Sequence, residues 1–282
     1  MATVRSRRPA RLLAWLTLGV IALAYLLPLY WLLVTSLKSK AELYQGTVTL
    51  YPHAPTLEAY GRVLVERGFW VLLRNSLLVC GATVLVTLTL GLLITYPITR
   101  LRASPRLRRG VLNQALSLRF MPPVAVVIPY FALVRTAHLY DTPQALILIY
   151  SIFNLPFAIW MLKGFLDEIP PEIEEAAYTD GGSRLTVFRR VLLPLATPGL
   201  LASGIIVFTF TWSEFLFALI LTSTPRSQTF PVGVQGLVTQ FEVIWNDMAA
   251  SGAIAMALPL VLALLARRYL IAGLTFGVIR ER

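Results

Sequence analysis

Few side chains in this 282-residue sequence are of the kinds that do covalent chemistry, and they are not spaced for it. His53 and His138 stand far apart, and the one cysteine, Cys80, lies inside an apolar run. No metal cluster or intrachain disulfide is indicated, and Cys80 is expected to be a small core hydrophobe. No Ser-His-Asp set or paired carboxylates with acid–base spacing can be assembled. The acids gather in one stretch, Asp167, Glu168, Glu172, Glu174, Glu175 and Asp180, where they suit helix N-terminal and docking charges. Arg119 and Glu214 are different, because each lies within an apolar run, where an ionisable group is costly and is a functional candidate by default. Tyr150 and Asn154 are weaker candidates of the same kind. Arg119 has the alternative of snorkelling to the interface or pairing with an internal acid. Glu214 has the alternative of bonding another polar group between helices. The chemistry open to these residues is non-covalent recognition.

The elements that must position them are membrane spans. Hydrophobic residues make up 57% of the chain and charged residues 14%, whereas a soluble domain carries roughly a quarter charged. Six apolar runs are long enough to cross a bilayer as helices of about 20 residues: residues 12–34, 71–98, 111–134, 144–162, 199–221 and 249–265. The third is interrupted by Arg119 and the pair Pro122-Pro123. The first follows Arg5, Arg7, Arg8 and Arg11 like a signal peptide, but it is too long for an apolar signal core and no clear cleavage site follows. It is expected to be a retained span.

The net charge of +11 does not point to nucleic acid, since the basic residues sit between apolar runs and form no patch on a soluble fold. With the N-terminus inside, segments 1–11, 99–110, 163–198 and 266–282 carry seventeen of the 25 Lys and Arg, and the opposite segments carry seven. The positive-inside rule therefore predicts that both ends are cytoplasmic. The fold class expected is an all-helical, six-span membrane protein. It forms a single transmembrane domain over residues 1–282, with a long internal segment at 163–198. No phosphate-cradling GxxxxGK[ST] loop is present, so any ATPase that drives this chain is a separate one.

That internal segment carries its own pattern. Pro170 and Pro171 suit the start of a helix, and Glu172, Glu174 and Glu175 then fall where negative charge complements its dipole. Gly181-Gly182 breaks it. Ser183 can cap a second short helix that ends near Arg189 and Arg190, and Pro194 and Pro198 separate this helix from the fifth span. Two short helices meeting at a pair of glycines, with Ala176 and Ala177 nearby, let another backbone approach closely. The bland alternative is a helical pair lying on the membrane and packing only against its own spans.

Glu175-Ala176-Ala177, then Gly181, then Val191-Leu192-Leu193-Pro194, resembles the EAA motif of bacterial ABC importer membrane subunits, with Val191 in place of the usual isoleucine. Asn154-Leu155-Pro156-Phe157, Phe230-Pro231-Val232 and the tail Gly273–Gly277 resemble the carbohydrate-uptake branch, in particular the smaller six-span permease of maltose, trehalose and glycerol-phosphate type importers. The resemblance implies that Glu175, Ala176, Ala177, Asp180, Gly181 and Pro194 couple the chain to the ATPase, and that Gly277 and Arg280 form a tail contact. Relatives commonly carry lysine where Arg280 stands. The resemblance also implies that Glu214, Asn154, Tyr150 and Arg119 are substrate-path candidates. The partners implied are a second homologous permease subunit, two ATPase subunits that bind ATP and Mg, and an external substrate-binding protein or lipoprotein. The setting is the bacterial cytoplasmic membrane. This chain itself needs no cofactor and is not an enzyme. The competing readings are an amino-acid or peptide importer permease and an ion-driven secondary transporter, and the latter does not account for the Glu175–Pro194 spacing.

Overall fold

The computed structural model describes residues 8–45, 48–101, 103–238 and 243–275, with the side chains of residues 8–12, Leu116, Arg119 and 266–275 outside that description. The described chain is almost wholly helical, and the isolated bridge Val238–Val243 is the one extended pairing among the described residues. In chain order the helices are α1 (Arg8–Leu37), α2 (Lys40–Tyr44), α3 (Glu58–Gly61, leading into a π turn at Arg62–Glu66), α4 (Phe69–Arg100), α5 (Pro105–Arg119), α6 (Pro123–Thr136) and α7 (Pro143–Glu168). There follow α8 (Pro171–Thr179), α9 (Arg184–Trp212), α10 (Leu216–Leu221), α11 (Phe230–Gln235) and α12 (Trp245–Thr275). Five helices among the described residues are long and apolar enough to cross a membrane: Leu13–Leu37, Phe69–Arg100, Pro143–Glu168, Arg184–Trp212 and Trp245–Leu265. α6 is a shorter apolar helix.

The chain divides into two compact units. One comprises Met1–Phe69 and Val234–Met256. Here α1 leaves its apolar side chains largely uncovered, with Trp15 72% and Tyr25 76% exposed. The end of α1 is tied down by a 2.8 Å hydrogen bond between Ser36 Oγ and the Tyr60 hydroxyl. Asp247, fully buried in the first turn of α12, accepts from Arg62 Nε and Nη2 at 3.1 and 3.0 Å and from Arg67 Nε at 3.0 Å. A buried carboxylate at a helix N-terminus with two guanidinium partners satisfies both the dipole and the charge.

The other unit comprises Trp70–Gly233 and Ala257–Arg282. Its core gathers Val79, Val126, Leu146, Ile149, Tyr150, Phe217 and Leu221, and a second cluster joins Leu166, Leu192 and Ala196 to Tyr96 and Phe188. Small residues set the close crossings, as expected where lipid supplies no hydrophobic drive between helices. Gly199 sits against Phe165 so tightly that an added Cβ would lie 2.3 Å from the ring.

Three expectations from the sequence are corrected. The run 111–134 is not one helix: the chain leaves the helix at Phe120–Pro122 and restarts at Pro123. Consecutive prolines remove two N–H donors and push the preceding residue to extended backbone, with Pro122 at ψ 127°. The run 199–221 is also interrupted, at Ser213–Phe215, where the Glu214 carboxylate accepts from the backbone N–H groups of Phe217 and Ala218 and caps a new start. Lastly, Pro194 and Pro198 do not separate the second short helix from the fifth span. The helix continues from Arg184 to Trp212 through a π turn at Phe188–Leu192. The wider turn accommodates the bond that Pro194 cannot donate to the preceding turn.

Candidate functional site

The internal segment forms two helices joined at Thr179–Ser183, as the proline, glycine and serine signals predict. Pro171 opens α8, with Glu172 and Glu174 in its first turn. Gly181 adopts φ +87°, a left-handed conformation that glycine takes without steric penalty. Gly182 N–H donates to Ala177 O at 3.0 Å, and a Cβ on Gly182 would lie 2.7 Å from that same carbonyl oxygen. Ser183 then caps α9, its hydroxyl accepting from Thr186 N–H at 3.3 Å.

The helix α8 has two faces. Glu174 points inward and is buried, while Glu172, Glu175, Ala176 and Thr179 are exposed along one stripe at helical spacing. Ala177 is half-buried, and Asp180 and Gly181 are exposed. Of the EAA pattern, Glu175, Ala176, Gly181 and Pro194 are therefore exposed, whereas Ala177, Val191 and Leu193 are half-buried and Leu192 is in the core. Pro194 is exposed within α9.

Arg100, the last residue of α4, holds the segment from the inside. Its Nη2 donates to Leu166 O and Ile169 O at 2.6 Å each, closing the C-terminal end of α7. Its Nε stands 2.7 Å from Glu174 Oε1, an ion pair whose angle falls outside hydrogen-bond geometry. Burial pushes the Glu174 carboxyl up, Arg100 pulls it down, and the balance leaves it raised. A cleft of about 430 Å³ lies alongside, lined by Arg100, Leu101, Tyr178, Gly182 and Arg184. The sequence reading used Arg100 only as one of the cytoplasmic cations and Glu174 only as a helix N-terminal and docking charge. A cation at the last turn of one span and an acid just past the end of another, α7, were the available signal.

Three of the four candidates within the apolar runs come together. The Tyr150 hydroxyl donates to Glu214 Oε2 at 2.6 Å, and Asn154 Nδ2 donates to Tyr150 O at 2.9 Å and to Thr211 Oγ1 at 3.2 Å. Glu214 is half-buried and also accepts from Phe217 N–H at 3.0 Å, while Tyr150 and Asn154 are buried. The cluster stitches α7 to the break between α9 and α10. Arg119 ends α5, and its side chain lies outside the described residues, as do Gly277 and Arg280 entirely. His53 bonds Glu42 within its own segment, Nδ1 to Oε1 at 3.0 Å. Among the described residues no group of three or more His, Cys, Asp or Glu is placed to hold a metal.

In this multi-pass helical chain the two-helix segment is stapled on one face by Arg100 and exposed on the other. The chain is a member of the family described as binding-protein-dependent transport system inner membrane component, whose model matches residues 87–276. It is 32% identical to the sulfoquinovosyl glycerol transport system permease protein of Agrobacterium fabrum, over 96% of this chain and 94% of that one. It is 35% identical to the trehalose transport system permease protein of Mycobacterium tuberculosis, over 94% and 97%. Its fold matches a chain of a bacterial ABC transporter that imports the acidic polysaccharide alginate, with a TM-score of 0.78 at 23% identity, covering 95% of this chain and 98% of that one.

Proposed function

We propose that this chain is the permease subunit of an ATP-driven carbohydrate importer. It forms half of the pathway for a di- or oligosaccharide or a related polyol or glycerol phosphate, in the bacterial cytoplasmic membrane. The reading rests on its family, on the sugar-related cargoes named for its relatives, and above all on the exposed stripe of α8. In this reading α6, with the chain leading into it, supplies the sixth span, and both ends are cytoplasmic. Residues 163–198 form the coupling loop, with Glu175, Ala176, Ala177, Asp180 and Gly181 seated against a separate ATPase and Pro194 at its far end. Gly277 and Arg280 make the tail contact. The partners are a second, homologous permease, two ATPase subunits and an external substrate-binding protein.

The mechanism needs no covalent step here. ATP draws the two ATPase subunits together, the loops move with them, and the spans exchange inward- and outward-facing states. Arg100 passes that movement from α8 to the ends of α4 and α7. Glu214, Tyr150, Asn154 and Arg119 remain the substrate-path candidates, with Glu214 the most accessible of the described three in this conformation.

Replacing Gly181 with aspartate in the assembled transporter tests the coupling role. ATP-dependent uptake into vesicles is expected to collapse while the subunits still co-purify. Normal uptake would remove the basis of the reading. Screening the cognate binding protein against mono-, di- and oligosaccharides and glycerol phosphates identifies the cargo.

A further inference from the structure

The cleft beside the two-helix segment is lined by two cations and no acid. Its walls are Arg100, Leu101, Tyr178, Gly182 and Arg184, and its volume of about 430 Å³ falls within the range of small-molecule sites, roughly 300–1,000 Å³. Tyr178 is one turn on from Glu174 and shares its face of α8. The cleft therefore lies on the side of α8 that Arg100 holds, away from the exposed stripe of Glu172, Glu175, Ala176 and Thr179.

The chain leaves this space with more donors than acceptors. The Arg100 side chain is only 10% exposed, so its charge is weakly screened. Its Nη2 serves Leu166 O and Ile169 O, and its Nε faces Glu174 Oε1. Its Nη1 has no protein partner among the described residues. Arg184 opens α9, is exposed, and forms no ion pair among the described residues. Glu174 is the one acid paired with a lining residue among the described residues, and Arg100 already engages it. Tyr178 adds a phenol hydroxyl. Two cations that line one space are stabilised by an anion placed between them. The positive-inside rule accounts for the number of cations here but not for a cleft between them. Guanidinium forks match phosphate oxygens in pairs, and basic pockets between membrane helices take phospholipid headgroups. The donors arrive from α4, α8 and α9, three different elements. The tetrahedral spread of phosphate oxygens suits that arrangement, whereas a flat carboxylate suits a single fork.

We propose that this cleft binds a phosphate group, carried by a phospholipid head or as a free phosphate, with Arg100 Nη1, the Tyr178 hydroxyl and Arg184 as its donors. Its occupant ties the end of α4 to α8 and to the start of α9. The test uses the full chain in phosphatidylcholine nanodiscs, with inorganic phosphate titrated at constant ionic strength and followed by phosphorus NMR line broadening. Saturable broadening is expected in the unaltered chain. Arg184→Glu is expected to weaken binding about tenfold or more. Arg109→Glu, an equal change of charge at an exposed residue outside the cleft, is expected to weaken it less than about twofold. Arg184→Gln, expected to weaken binding severalfold, decides if the charge reversal does not insert. Native mass spectrometry of the same chains with phosphatidylglycerol is the second arm. A lipid adduct lost in Arg184→Glu but kept in Arg109→Glu assigns the site to the lipid head, and no such adduct beside Arg184-dependent phosphate binding assigns it to the free anion. Absence of Arg184-dependent binding of both probes overturns the proposal. So does an equal loss in Arg109→Glu, which would mark diffuse surface charge.

Discussion

Arg100 and Glu174 meet at 2.7 Å with their side chains only 10% and 6% exposed, joining the end of a long apolar helix to the inward face of a short polar one. The same guanidinium satisfies two carbonyls at the end of α7, so one side chain organises three helix termini. Neither residue belongs to the EAA pattern, but both determine which face of α8 is left free.

Arg100→Ala is expected to destabilise the chain by about 3–5 kcal/mol, since it leaves a buried carboxylate unpaired. Glu174→Gln keeps the shape and is expected to cost less. Thermal unfolding in detergent measures both. Arg100→Lys is expected to fall between wild type and Arg100→Ala, because an ammonium cannot match the planar fork that serves two carbonyls and a carboxylate.

Gly181 and Gly182 are expected to respond differently to alanine. At Gly181 the space for a Cβ is open and the penalty is conformational, about 1–2 kcal/mol for the left-handed region. At Gly182 the added carbon would lie 2.7 Å from Ala177 O, a backbone atom that cannot move without opening the turn. Gly182→Ala is therefore expected to lower the melting temperature more than Gly181→Ala. The opposite order would mean that the turn is not held by the Gly182–Ala177 bond.

Tyr150 and Glu214 are expected to behave as a coupled pair. Tyr150→Phe removes one donor and is expected to cost about 0.5–1.5 kcal/mol. Glu214→Ala removes the cap and the acceptor together and leaves a buried hydroxyl unsatisfied, at about 1–3 kcal/mol. A double-mutant cycle is expected to show a coupling of at least about 0.5 kcal/mol. Strict additivity would dissolve the pair.

The loop at residues 222–229 is expected to be sensitive to acid. Burial pushes the Asp141 carboxyl up, but the bonds from Ser223, Ser227 and Thr224 outweigh it and hold it well below the usual carboxylate range. A depressed folded-state value means that the contribution is complete above the unfolded value, near pH 4, and is lost as the pH falls below it. Hydrogen exchange at Ser223 and Thr224 is expected to accelerate as pH drops below about 4, relative to a reference peptide at each pH. In Asp141→Asn the excess is expected to be present already at neutral pH.

Local signals in this sequence were strong where single residues impose a backbone state. Pro171 at the start of α8, Gly181 at its end and Ser183 at the head of α9 each act within one turn, and each stands where its chemistry predicts. Breaks inside apolar runs were harder. Pro122-Pro123 announced one, but the break at Ser213–Phe215 has no proline or glycine, because it is made by a side chain, Glu214, turning back onto the backbone. The opposite error came at Pro194, where a proline suggested an end and a π turn absorbed it. The long-range pairs escaped altogether. Arg100 with Glu174, and Asn75 and Asp141 with residues 223–228, join positions 74 to 153 residues apart, and no periodicity records them.

The unbroken run of α9 through Pro194 has a mechanical consequence. A helix of 29 residues is roughly 40 Å long, and it starts at Arg184, just past the turn that joins it to α8. Had Pro194 opened a hinge, a displacement of that turn would be absorbed by bending near the membrane surface. With no such compliance, a small tilt at the Arg184 end becomes a sweep at Trp212, beside the polar cluster of Tyr150, Asn154 and Glu214. Any displacement of the Arg184 end of α9 is carried to Trp212, and the first joint beyond it is the break at Ser213–Phe215.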